Sequence, residues 1–226
     1  VPLTIQVDQS TFVDDETFDQ ADLLWAMHHS EHAPTTSCPS PQAYLDAYQG
    51  ADDVYVVTLS ALLSGSHNSA VQARVLLEEE EPERNVHVFN SCSASSGEVL
   101  TALKIRELAS SGMPFKKVVR EVEQYICQMQ TLFVLESLEN LRKNGRLTKL
   151  QAVVTGALKI KLFMGGTPEG EICKLGQALS MKQALNKLVD KIASDPNHVG
   201  RKVVVCHCNC KERAEKLKEQ IMAKCQ

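Results

Sequence analysis

The chain has 226 residues, 43% hydrophobic and 23% charged, with 24 basic against 28 acidic side chains for a formal net charge of −4. That length suits one large domain or two small ones with a substantial core. The mild acidity argues against an extended nucleic-acid surface, which needs clustered positive charge. No apolar run approaches the roughly 18 residues of a membrane span.

In chain order, Leu3–Val7 reads as a strand, and Glu16–His29 carries Phe18, Ala21, Leu24, Trp25 and His28 at helical spacing. The proline-containing TTSCPSP breaks that helix, and Ser40 or Pro41 opens a short one. Val54–Leu59 is a strand, and Ser64–Glu79 a helix that ends in the solvated acidic run EEEEPE. Val86–Asn90 is the next strand, followed by SCSASSG and a helix to about Ser111. After the SGMP break, Pro114 sits at the first turn of a helix running to about Met129. Thr131–Glu136 reads as a strand, then SLENLRKNGRLTKLQAVVTGALK as helix, glycine interruption and helix. Ile160–Met164 is a short strand, GGTPEG a hairpin-like turn into EICKLGQAL, and Ser180–Ala193 a capped helix. Lys202–Cys206 reads as a strand and Lys211–Ala223 as a final amphipathic helix. Alternating strands and helices predict an α/β protein with largely parallel strands. The SGMP break and the change after Ser137 divide it into two lobes, residues 1–112 and 113–226, with chain crossings between them.

In such folds ligands gather beyond the C-terminal ends of strands, where the following loops meet. Three of these loops carry hydroxyl or ionisable groups: TLSALLSGS, NSCSASSG and CHCNC. Ser and Thr are ordinary helix caps, so capping alone explains many of them. The sharper reading is anion binding, since helix N-termini bring free N–H groups and partial positive charge. A hydrolase using Ser60, Ser64 or Ser66 with His207 is a rival, but LSGSH lacks the second glycine of a nucleophile elbow. CHCNC invites zinc, yet Cys206, Cys208 and Cys210 alternate as strand residues do, and no second pair has suitable spacing. The start VPLTIQVDQS has no signal-peptide pattern, so the eight cysteines are expected to stay reduced in the cytoplasm.

Taken in register, TTSCPSPQAY (35–44), TLSALLSGSHNSA (58–70), VFNSCSASSG (88–97), FVLESLENLRKNGRLTK (133–149), LKIK (158–161) and CHC (206–208) resemble the DegV family of fatty-acid-binding proteins over nearly the whole chain. The resemblance implies two α/β lobes, each a mainly parallel sheet with flanking helices, and one long-chain fatty acid in an apolar tunnel between them. By the same resemblance the carboxylate is held by Thr36 (with Ser37 as near alternative), by Ser64 beside Gly65, by Arg146 and by His207. Family members are carriers without catalysis of their own. They present the acid to a fatty-acid kinase, and the acyl phosphate feeds phospholipid synthesis. No cofactor or metal is implied beyond the fatty acid itself. The sequence departs from the family pattern at Cys38, Ser66, Asn144 and Leu162, where Gln, Thr, Gly and Pro are usual, and its segment between Arg146 and His207 is short. The resemblance also implies a strand and a D-S-type loop ahead of VPLTI, so the first strand of the N-terminal lobe is expected to be missing.

Overall fold

A computed structural model describes residues 1–144 and 160–225. β1 (Thr4–Val7) and β2 (Ser10–Val13) form an antiparallel hairpin around Asp8 and Gln9. Asp8 takes φ 50°, a left-handed conformation that Asp tolerates better than most residues. After α1 (Gln20–His29), whose N-terminal amides are capped by Asp19, β3 (Thr35–Ser37) pairs antiparallel with the other edge of β1. Ser40 then caps α2 (Pro41–Ala47) through the Ala43 N–H at 3.1 Å.

β4 (Asp53–Thr58) and β5 (Asn85–Asn90) run parallel, as a helical crossover requires, with α3 (Ser66–Glu80) between them. Alternation along β5 decides what covers each face. Val86 and Val88 pack on Ala70, Ala73 and Leu77 of α3 and on Tyr44 and Tyr48. Phe89 points the other way, into Ile105 of α4 (Ser96–Ser110) and Val118, Val122 and Ile126 of α5 (Phe115–Cys127). The last three recur every four residues and form the buried stripe of an amphipathic helix. This core draws on residues from both sides of position 112.

β6 (Leu132–Val134), β7 (Lys161–Gly166) and β8 (Ile172–Ala178) form the third sheet, in that order and antiparallel throughout. Phe163 packs into α7 (Met181–Ala193) and α8 (Lys211–Lys224) through Leu188, Val189, Leu217 and Ile221. Its neighbours Leu162 and Met164 face the opposite side, toward Leu138 and Leu141, the latter on the short α6 (Glu139–Lys143).

The α/β alternation holds. The parallel pairing expected through both lobes is found at β4–β5, and the two outer sheets correct the rest of that expectation. A two-residue turn at Asp8–Gln9 and a tight turn at Thr167–Gly170 leave no room for a crossover, so the strands they join are antiparallel. Lys202–Cys206, expected as a strand, joins no ladder among the described residues. Its β-branched run has the composition of a strand, but Val205 packs on the Phe163 cluster through its side chain instead. The short β2 and β3 add to the expected strands; β3 falls inside TTSCPSP, whose prolines at 39 and 41 read as a break.

Candidate functional site

The site grows from the end of β4. Ser60 is fully buried and ties the following loop to two distant segments. Its N–H donates to Ser93 O at 2.8 Å and its hydroxyl donates to Gly170 O at 2.8 Å, 110 residues away. Asn90, closing β5, accepts the Ala61 N–H at 3.1 Å. Ser93 in turn shares a 2.6 Å hydroxyl contact with Thr131. Gly170, at φ 89°, permits this closeness, since a Cβ there would meet Ser60 Oγ at 2.3 Å and Cys92 Cα at 2.8 Å. The β7–β8 turn is therefore seated directly on the loops that leave β4 and β5.

Held in this way, the loop delivers Ser64, Gly65 and Ser66 to the start of α3. Ser64 Oγ accepts the Ser66 N–H at 3.2 Å and lies 2.9 Å from Ser66 Oγ, so it serves the first turn of the helix from outside. Gly65 precedes the helix, and a Cβ on it would stand 3.0 Å from Cys38 Sγ. Cys38 also lies 3.8 Å from Ser69 Oγ. These contacts lay the end of the Thr35–Cys38 segment over the first turn of α3. Thr36 and Ser37, on β3 opposite Ile5 and Thr4, are exposed beside it. Asn144 Nδ2 donates to Pro34 O at 2.9 Å and brings the end of α6 to the same segment.

Two hollows flank this turn. A groove of about 580 Å³ is lined by Leu62, Leu63, Ser64, Gly65, His67 and Asn68. A second of about 420 Å³ runs along β4 and reaches Tyr44, Tyr48, Thr58, Ser66 and Glu98. Burial pushes the Tyr44 phenol up, partly offset by a hydrogen bond with Ser66. It also raises the Glu98 carboxyl, against the hydrogen bond from the Ser95 N–H. Partial burial lowers the His67 imidazole from the ordinary histidine value, with Glu123 opposing and Arg74 and His87 acting in the same direction as burial.

Of the six residues singled out in the sequence, Gly65 meets the segment that carries Thr36 and Ser37, at Cys38, and Ser64 stands next to it in the chain. Arg146 lies outside the described residues. His207 stands apart from this turn in its hydrogen bonding: it is exposed, and its Nδ1 accepts the Cys210 N–H at 3.4 Å. The hydrolase rival needed Ser64 paired with His207, whereas the hydroxyl partner of Ser64 is Ser66. All eight cysteines are free thiols, and among the described residues no three His, Cys, Asp or Glu side chains are placed to hold a metal ion. Tyr44 and His67 went unassigned in the sequence. The signal for Tyr44 was its i, i+4 pairing with Tyr48, and for His67 its place in the first turn of a hydroxyl-rich helix start.

Fold and site together define an α/β protein whose polar strand-to-helix loops converge on one helix N-terminus beside two hollows. The chain belongs to the DegV family: the family model described as an uncharacterised protein of the DegV family matches residues 1–226. A DegV domain-containing protein of Streptococcus pyogenes serotype M3 is 38% identical over 221 residues, 98% of this chain and 79% of that protein. A DegV-family protein from Ruminococcus gnavus, solved with vaccenic acid, has TM-score 0.95 and 46% identity over 99% of this chain and 80% of its own. The Fatty Acid Kinase (Fak) B3 protein of Streptococcus pneumoniae, loaded with linoleic acid, has TM-score 0.93 and 34% identity over 100% of this chain and 80% of its own. Among the described residues no helix is long and apolar enough to cross a membrane.

Proposed function

We propose that this protein binds one long-chain fatty acid and carries it to a fatty-acid kinase, contributing the substrate and no catalysis. The carboxylate rests on the loops around Thr36, Ser37, Ser64 and Gly65, with Arg146 and His207 completing its neutralisation. The tail occupies an apolar tunnel between the lobes at residues 1–112 and 113–226. The observation that carries this reading is the meeting of the Thr35–Cys38 segment with the first turn of α3, in a fold shared with solved proteins that hold linoleic and vaccenic acids.

The energetics suit a carrier. Each buried CH₂ contributes about 0.8 kcal/mol, so a long tail is drawn strongly into a dry slot. An unpaired buried carboxylate costs several kcal/mol, roughly enough to cancel much of that gain. Hydroxyls, the positive end of a 15-residue helix and a guanidinium offset the cost. Mass spectrometry of an organic extract of the purified protein tests the reading. Near-equimolar fatty acid is expected; an extract without it, together with no uptake of added oleate, overturns the proposal.

A further inference from the structure

One titratable group on the wall of the groove has no part in the site as described so far. His67 lies one residue past Ser66 and lines the same groove as Ser64, Gly65 and Asn68. Its Nδ1 is 3.1 Å from Thr58 Oγ1, and that hydroxyl donates its single proton to Phe89 O at 3.2 Å. A carbonyl can only accept, so hydrogen-bond accounting makes Thr58 Oγ1 the acceptor and Nδ1–H the donor. The basic nitrogen of the neutral ring is then Nε2. Thr58 is 2% exposed, and β4 and β5 hold it in register with Asn90, so the tautomer is locked by the sheet.

The charged and titratable groups facing His67 are Glu123 from α5, His87 from β5 and Arg74 from its own helix. Glu123 is already engaged by His87, 2.9 Å from its Nε2. Partial burial shifts the ring toward its neutral form, and an anion entering the groove opposes that shift by favouring the imidazolium.

We propose that His67 is the proton-linked residue of the head-group site: when an anionic acid settles at Ser64 and Gly65, Nε2 takes one proton from solvent, so that carboxylate and proton bind together. One N–H bond forms at Nε2 as one bond to hydrogen breaks on the buffer acid, and both changes reverse on release. The site is thereby selective for a free acid over an ester or alcohol of the same chain, since neither neutral head group draws a proton onto the ring. Arg146 carries a permanent charge and neutralises a carboxylate without proton uptake, so uptake is the signature that separates an imidazole from a guanidinium.

The inference rests on the fatty-acid reading, and the experiment separates the two. Oleate is titrated into the purified, delipidated chain by calorimetry at pH 7.5 in phosphate, HEPES and Tris, whose ionisation enthalpies differ. The heats are expected to reveal uptake of between about half and one proton per oleate bound, with affinity rising as pH falls toward 6. His67→Gln is expected to abolish uptake and weaken oleate about tenfold, while binding of the methyl ester changes little. In the wild-type chain, NMR of the His67 ring carbon reports its protonation directly and needs no variant: it should move toward the imidazolium position on adding oleate. Oleate binding without proton uptake, or uptake that survives His67→Gln and vanishes in His207→Gln, overturns the assignment and leaves the carrier reading standing. Failure of the wild-type chain to bind oleate overturns both.

Discussion

The loop leading from β4 into α3 and the CHCNC segment leading into α8 are both dense in reactive atoms, yet the fold treats them oppositely. The first is gripped from three directions: Ser60 by Ser93 and Gly170, Ala61 by Asn90, and Gly65 by Cys38. The second makes the local contact of Cys210 N–H with His207, with Cys206, His207 and Cys208 exposed to solvent. Hydroxyls on an immobilised backbone keep their orientation before a ligand arrives and lose little entropy when it binds. Thiols on an exposed turn must be ordered by the ligand itself. Reactive composition alone therefore does not preorganise a site; convergent packing from distant parts of the chain does.

That contrast can be broken most forcefully at Gly170. Gly170→Ala places a Cβ against Ser60 Oγ and the Cys92 backbone at a positive φ, so unfolding in urea should show a loss of about 2–4 kcal/mol. A loss below about 0.5 kcal/mol, the ordinary range for a surface change, would mean the grip on the Ser60 loop is loose. Next in size, Ser64→Ala should weaken oleate about tenfold, consistent with one charge-assisted hydrogen bond, while Cys208→Ser changes neither affinity nor stability. Equal effects of the two variants would erase the distinction between the regions.

The smallest effect concerns pH. Partial burial lowers the His67 pKa in the folded chain, while the unfolded chain protonates it at the ordinary histidine value. In that interval the unfolded state binds more protons, so stability rises with pH and is lost as pH falls through the normal histidine range. Urea midpoints at pH 7.5, 6.5 and 5.5 should decline, and His67→Gln should flatten the decline. An unchanged slope in the variant would remove His67 from the group of buried, sheet-locked residues.

Much of the fold was legible because its signals are local. The SGMP break and Pro114 announce α5, Ser40 and Ser180 announce helix starts, and GGTPEG announces the β7–β8 turn. The family motifs likewise pointed to Ser64 and Gly65. Lys202–Cys206 misled for the same reason: β-branched composition is local, whereas membership of a sheet needs a neighbouring edge. The hairpin at Asp8–Gln9 carries no such signal, because strand direction is set by how short a connection is and no turn of the Asn-Gly or Asp-Gly type marks it.

The sequence by itself determined the α/β alternation, the helix caps and the hydroxyl-rich loops, each of which depends on residues within a few positions of one another, and the family, which is read from short motifs in fixed order. Only the tertiary structure decided that Ser60 meets Gly170, that Cys38 meets Gly65, and that Thr58 meets the ring of His67. The physical reason is that hydrogen bonds and van der Waals contacts act over a few ångströms in space, while the residues that make them are separated by up to 110 positions in the chain.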